Sequence, residues 1–370
     1  QADEYLTHAK GWGVTGNYHE YAYGPAIDAA GNLWVALNSS IGKGYKSNNK
    51  WRGWSLRVKP DGSWTPMTGG FRSPSGIGTN LNGDVFVTDQ QGNWFPTCPL
   101  MHLKKGAFHG HADSLPFTKL PEATFKVDGE LPTNLTVSQA AKRIPAYQLP
   151  AVWFPYRKMG MSTTDILADS TQGKFGPFAG QLFCGEFTMS FVSRVFLEKV
   201  EGEYQGACFR FRDGLDCAAL RLQWGTDGSM YIGQSNRGWN SLGTKSYGLQ
   251  RLQWTGKVPF EIKEMSAQEN GFRLTFTQSV DAASVTNPKN FTMTSYTYPY
   301  QSNYGGEPVD IKTHPVKVAG LDINLRTVQL VIDEMRPGYV YELQSPGVRN
   351  SKDQTLLHSA AYYTLNRVPK

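Results

Sequence analysis

One short pattern recurs along the chain and restricts the fold more than any other feature. It is a short strand, a polar turn closed by glycine, and a second strand of alternating apolar and aromatic residues. Gly24-Pro25-Ala26-Ile27-Asp28-Ala29-Ala30-Gly31-Asn32-Leu33-Trp34-Val35 is the first copy, and Gly76-Ile77-Gly78-Thr79-Asn80-Leu81-Asn82-Gly83-Asp84-Val85-Phe86-Val87 the second. Leu222-Gln223-Trp224-Gly225-Thr226-Asp227-Gly228-Ser229-Met230-Tyr231-Ile232 is a further copy, and Phe178 to Gly185, with Gly180 at the turn, is a weaker one. Glycine at the turn takes positive φ at little steric cost. The glycines fall at multiples of about 50 residues, the length of a four-stranded propeller blade. Isolated Asp-Gly turns occur in any all-β protein, but turns at blade spacing predict a β-propeller.

Composition agrees. Of 370 residues, 13% are aromatic and only 18% are charged, with 39 glycines and 21 prolines, a mix suited to short strands and many turns. One helical stretch is expected, around Ser138 to Lys142. The blade pattern runs over residues 1–257, interrupted at about 116–150 by an insertion rich in Pro, Lys and Thr. Beyond Val258-Pro259, strands such as Gly271 to Phe276, Gln329 to Ile332 and Tyr339 to Leu343 predict a small immunoglobulin-like β-sandwich over 258–370. The fold class expected is therefore all-β: a propeller of the six-bladed type, not necessarily complete in this chain, followed by a sandwich. The tyrosine tract from Tyr296 through Tyr300 to Tyr304 either offers ring faces to sugars or packs in the seam between the two parts.

The net charge of +6 is spread in ones and twos, without the clustered basic stripe expected of a nucleic-acid binder. No segment is long and apolar enough to span a bilayer. The four cysteines, Cys98, Cys184, Cys208 and Cys217, form no Cys-x-x-Cys pair; Cys208 and Cys217 either bridge or stay as buried thiols. Gln1 to Tyr5 reads as the middle of a sequence, without an initiator Met or signal peptide.

Propellers place their sites on loops at one end of the central tunnel. Three clusters fall there. The first is Asn17-Tyr18-His19-Glu20-Tyr21, where His19 is either a general base or a hydrogen-bonded structural residue. The second joins Phe71-Arg72-Ser73-Pro74-Ser75-Gly76 to Asp89-Gln90-Gln91-Gly92-Asn93-Trp94. Its Arg72 can grip a carboxylate or quinone oxygen, and its oxygen-rich turn offers donors of the kind Ca²⁺ takes, or is simply a polar turn. The third, Gly233-Gln234-Ser235-Asn236-Arg237-Gly238-Trp239, sits at the offset after its repeat that Asp89 and Gln90 occupy after theirs. His109-Gly110-His111 supplies two imidazoles without an evident third metal ligand.

At these residues the chain resembles the soluble quinoprotein sugar dehydrogenases, the family of pyrroloquinoline-quinone (PQQ) glucose, aldose and sorbosone dehydrogenases. It is most similar to a little-characterised environmental-bacterial branch found beside cytochrome domains. In that family a catalytic His precedes a repeat, as His19 does. An Arg-Asn-Pro-x-Gly segment contacts the quinone, and Arg72-Ser73-Pro74-Ser75-Gly76 resembles it with Ser73 in place of Asn. An acidic-Gln-Gly turn follows, whose carbonyls hold Ca²⁺; Gln90-Gln91-Gly92-Asn93 resembles it. Gly106 to Gly110 stands where the family has a Gly-x-Tyr-Gly-Trp-like stretch. Ala2-Asp3-Glu4-Tyr5 resembles the tail of a preceding segment, which implies blades upstream of Gln1.

The resemblance implies His19 and Arg72 as catalytic residues. It implies Arg72, Gln90 and Gln91 around PQQ, joined by Asn236 and Arg237 at the matching offset of the later repeat, and Gln91, Gly92 and Asn93 around Ca²⁺. Trp94, His109, His111 and Trp239 would face the substrate. It also implies oxidation of a sugar or polyol hydroxyl, an external electron acceptor such as a cytochrome, and a periplasmic or secreted location. The family's basic pair before the last repeat is matched at most by Arg221, and its Lys near Gly185 to Thr188 is absent. Two other classes compete: a carbohydrate-binding propeller without turnover, with Trp94, Trp153, Tyr156 and Trp239 stacking on sugar, and a metal-assisted glycan-cleaving enzyme using His19, His109 and His111.

Overall fold

The computed structural model describes residues 2–41 and 49–370; Gln1, with which the reading of Gln1 to Tyr5 begins, lies outside them. Each repeat folds as the hairpin expected of it. Asp28 Oδ1 accepts the Ala30 and Asn32 N–H groups, and Asn80 Oδ1 accepts those of Asn82 and Asp84. These side chains cap the turn that Gly31 and Gly83 complete, each at φ 79°; Gly180 (φ 86°) and Gly228 (φ 77°) do the same in the other two copies.

Four antiparallel sheets follow in chain order. The first holds β1 (Ala22–Ile27), β2 (Leu33–Leu37), β3 (Trp54–Val58) and β4 (Trp64–Gly69). The second holds β5 (Gly76–Thr79), β6 (Val85–Thr88) and β7 (Cys98–His102). Its chain then runs through β8 (Leu135–Thr136) and α1 (Val137–Arg143) before β9 (Val152–Phe154) closes the sheet. The third holds β10 (Thr163–Ala168), β11 (Leu182–Glu186), β12 (Phe191–Val200) and β13 (Glu203–Arg212), and the fourth β14 (Ala219–Trp224), β15 (Met230–Ser235) and β16 (Tyr247–Leu252). The first strands β1, β5, β10 and β14 pack side by side in that order, the arrangement of inner strands in a propeller. Four such sheets are present among the described residues.

The helix expected at Ser138 to Lys142 is α1. A capping box starts it: Thr136 Oγ1 accepts from Gln139 N, and Gln139 Oε1 accepts from Thr136 N.

The C-terminal part contains β17 (Ile262–Gln268), β18 (Gly271–Phe276), β19 (Thr292–Thr297), β20 (Pro299–Tyr300), β21 (Val309–His314), β22 (Lys317–Leu321), β23 (Thr327–Val331), β24 (Tyr339–Gln344) and β25 (Ala360–Leu365). Strands β17, β18, β23 and β22 form one sheet, which shares a core with β25, β24 and β19, while β21 pairs with β19 at the edge of that layer. The expected boundary at 257/258 falls between β16 and β17, yet hydrogen bonding crosses it. Strand β25 pairs with β13, making the third sheet and one layer of the C-terminal part a single sheet of eight strands. The insertion joins in too, since β8 pairs with β20. Arg194 bolts the seam: buried between the Phe178 and Phe209 rings, it donates to Gln181 Oε1 and to the carbonyls of Ile262 and Lys263. All four cysteines are buried free thiols, so Cys208 and Cys217 do not bridge. No helix among the described residues is long and apolar enough to cross a membrane.

Candidate functional site

Hairpin register decides which residues gather. Ala22 pairs with Leu37, Gly76 with Thr88, Thr163 with Glu186 and Ala219 with Gln234. The start of each inner strand and the end of its neighbour therefore lie at the same end of every sheet. That shared end, the mouth, collects Asn17 to Tyr21, Asn38, Arg72 to Ser75, Asp89 to Gln91, Glu186, and Asn236 to Trp239.

A polar residue at the end of each second strand laces the mouth together. Asp89 accepts the N–H groups of Arg72 (2.9 Å), Ser73 (2.8 Å) and Gln90 (2.6 Å). Glu186 accepts those of Met161 (2.8 Å), Ser162 (2.5 Å) and Met189 (2.5 Å). Asn236 Oδ1 accepts from Ala218 N, and Asn38 Nδ2 donates to Ser73 Oγ. The shared offset is visible in two repeats of the sequence; the clamp it builds is not. Burial pushes the Asp89 carboxyl up to about 6 and that of Glu186 up to about 7; their backbone hydrogen bonds pull the other way and are outweighed.

Several expected ligand-binding side chains are consumed by this lacing. Gln90 donates through Nε2 to Thr163 O (2.7 Å) and accepts from Ser162 Oγ (2.5 Å), spanning the second and third sheets. Gln91 donates to Pro96 O. Asn236 also accepts from Ser241 Oγ and donates to Lys245 O. Their amides are struts of the mouth rather than free contacts for a cofactor.

Other residues remain available. His19 is half-buried, its backbone N–H held by Asn17 Oδ1 and its ring edge-on to Tyr18 at 5.4 Å. The Arg221 guanidinium lies over the Tyr23 ring at 4.9 Å and donates to Ser75 O. Arg237 is exposed, and it faces Tyr21 across the mouth. A hydrogen bond of the Tyr21 hydroxyl to Tyr18, together with burial, pushes that hydroxyl up to about 12, while Arg237 pulls it down. The Arg72 guanidinium lies over the Tyr304 ring at 5.2 Å, and its Nε is buried without a partner. Gly92 is required beneath it, because a Cβ there would overlap the guanidinium. None of these three arginines is ion-paired to a carboxylate among the described residues.

The aromatic candidates divide. Trp94 sits at φ 64° with its ring 5.0 Å from that of Tyr300, and Trp239 is 54% exposed against Phe187. Trp153 is buried. Tyr296, Tyr298 and Tyr300 pack into the seam, whereas Tyr304 is 65% exposed.

His109 and His111 do not join His19. Both are buried, stacked on Phe71 and Phe95 respectively, and burial pushes each imidazole down to about 3. No group of three or more His, Cys, Asp or Glu among the described residues is placed to hold a metal. The turn expected to hold Ca²⁺ fits it poorly. The Gly92 carbonyl already accepts two N–H groups, from Phe95 (3.2 Å) and Gly305 (2.9 Å), which occupies both its lone pairs. The arginines, by contrast, suit an anionic planar group such as PQQ.

No protein-family profile and no curated protein matches the chain. Among solved structures it is similar to a glucose dehydrogenase (16% identity, 66% of this chain and 65% of that one, TM-score 0.43). It is also similar to a putative oxidoreductase (glucose dehydrogenase) from Thermus thermophilus (17%, 61% and 63%, 0.41). A third is the PQQ-bound aldose sugar dehydrogenase of Streptomyces coelicolor (15%, 61% and 60%, 0.38). The chain spans less than two thirds of the length of each of these structures.

Proposed function

We propose that the mouth is the active site of a quinoprotein-like oxidoreductase acting on a sugar or polyol hydroxyl. The observation that carries this reading is the gathering of His19, Arg72, Arg221 and Arg237, from the first, second and fourth sheets, at one end of the propeller. None of the three guanidiniums makes a direct ion pair among the described residues, although Asp89 and Asp113 lie near Arg72 and Asp165 near Arg221; their open donors favour an anionic ligand, and a quinone bearing carboxylates matches them. PQQ, when bound, supplies the hydride acceptor. His19 takes the proton of the substrate hydroxyl. Arg72 presents its planar fork to an oxygen on which negative charge grows, and Tyr304 and Gly92 fix that fork in advance. Arg221, which reaches Ser75 O, and Arg237 orient the anionic ligand from the fourth sheet. Ca²⁺ at the Gln91–Asn93 turn is not part of this proposal. An external acceptor such as a cytochrome, and a periplasmic or secreted location, belong to the same reading.

Titration of the protein with PQQ, followed by quinone absorbance, tests it. Saturable binding that weakens in Arg72→Ala is the expected result. His19→Ala should keep that binding and lose about 10²- to 10⁴-fold in dye-linked turnover. Absence of PQQ binding would retire the reading in favour of a carbohydrate-binding propeller, which the consumption of Gln90, Gln91 and Asn236 as struts favours.

A further inference from the structure

The loop between β20 and β21 leaves the C-terminal sandwich and lies along the Gln91–Pro96 turn. Gly305 N donates to Gly92 O (2.9 Å) and Gly306 N to Pro96 O (3.1 Å), while Trp94 N donates to Gln301 O (3.0 Å). Asn93 Nδ2 donates to Ser302 O (2.8 Å), and Asn93 forms an antiparallel bridge with Tyr304. Deeper in, Tyr300 Oη donates to Gly110 O (2.7 Å). The loop is thus stitched to the propeller at both of its ends and in its middle. Its Gly305, at φ 66°, stands so close that a Cβ would lie 2.9 Å from Gln91 Nε2.

We infer that this loop stands in for a bound cation at the Gln91–Asn93 turn, and that its Tyr304 is a positioning residue for Arg72. A divalent cation organises such a turn by drawing carbonyl oxygens toward one positive centre. Here the partial positive charge of the Gly305 N–H meets the Gly92 carbonyl instead, and the Asn93 amide is held by Ser302. The loop then returns over the mouth and places an aromatic face under the Arg72 guanidinium, a cation–π contact with the ring centroid at 5.2 Å. The C-terminal sandwich is consequently one wall of the site, and the mouth is built without Ca²⁺. This inference does not require the chain to bind PQQ, since both of its tests read the protein itself.

The first test is a Tb³⁺ titration of the chelator-treated full chain, exciting tryptophan and tyrosine, with Ca²⁺ as competitor and thermal melting in parallel. The expected result is no saturable sensitised emission and an unchanged melting temperature in millimolar Ca²⁺. Saturable emission displaced by Ca²⁺, or a Ca²⁺-dependent rise in melting temperature, overturns the stand-in role. The second test is the rate of phenylglyoxal modification at Arg72, mapped by mass spectrometry. Tyr304→Ala should raise that rate several-fold while Tyr304→Phe leaves it unchanged. Equal rates in the parent and Tyr304→Ala overturn the positioning role. Both variants alter an exposed side chain, and melting curves confirm that each folds.

Discussion

The second and third sheets and the first and fourth meet the same mouth in opposite ways. Between the second and third, Asp89, Gln90 and Glu186 are buried, and hydrogen bonds to named backbone groups hold their side chains. Around the first and fourth, His19 is half-buried, Arg237 is exposed, and Arg221 is exposed while donating to Ser75 O. The polar group that ends the second strand is a strut in all four sheets, Asn38 and Asn236 included. What differs is the residues beside it, which are spent on neighbouring backbone between the second and third sheets and stay more exposed around the first and fourth.

The strongest way to break this contrast is to attack the sealed side at its seam. Arg194→Ala should lower stability by about 3–5 kcal/mol in urea unfolding, because the buried Ile262 and Lys263 carbonyls and the Gln181 amide lose their donor. A loss under about 1 kcal/mol would mean that the seam is wetter than described.

Next comes pH. The Asp89 and Glu186 carboxyls are raised in the folded protein, so the native state binds more protons than the unfolded chain between about pH 4 and 7. Their stabilising contribution is complete below about pH 4 and lost as pH rises through 6 and then 7. The loss is at most about 3 kcal/mol for each group. Glu186→Gln should flatten the upper part of a stability–pH curve measured by chemical unfolding, and Asp89→Asn the lower part. Parallel curves for variant and parent would show that these groups stay ionised.

On the open side the same kind of change should leave stability nearly untouched. Arg221→Ala and Arg237→Ala should stay within about 1 kcal/mol of the parent. Each should nevertheless weaken binding of an anionic ligand roughly tenfold, with a salt dependence that the variants reduce. Destabilisation comparable to Arg194→Ala would place these arginines among the struts.

The hairpins were legible because their information is local. Asp28 with Gly31 and Asn80 with Gly83 write a turn within a few residues, and alternation marks the strands beside it. Location at the mouth was also legible for His19, Arg72, Asn236 and Arg237, since equal offsets from equal hairpins end at one level. Whether a side chain there is free was not legible. Gln90 is consumed by Thr163, 73 positions away, and no local pattern records such a partner. The same reason hid the loop over Gly92, whose hydrogen bonds join residues about 200 positions apart. His109 and His111 misled for a related reason: alternation around glycine resembles a ligand pair, but the fold turns both rings into the core.

The pairing of β13 with β25 has a consequence for the order in which the molecule can be finished. As the chain emerges, β13 is made well before the strand that covers its outer edge. Until residues 360–365 arrive, a ten-residue strand offers bare backbone donors and acceptors to any passing chain. A product truncated before β25 would keep that edge exposed, and quality-control proteases would meet it as an adhesive surface. Strand β25 thus acts as a late seal on that edge, applied only once synthesis has run past residue 365.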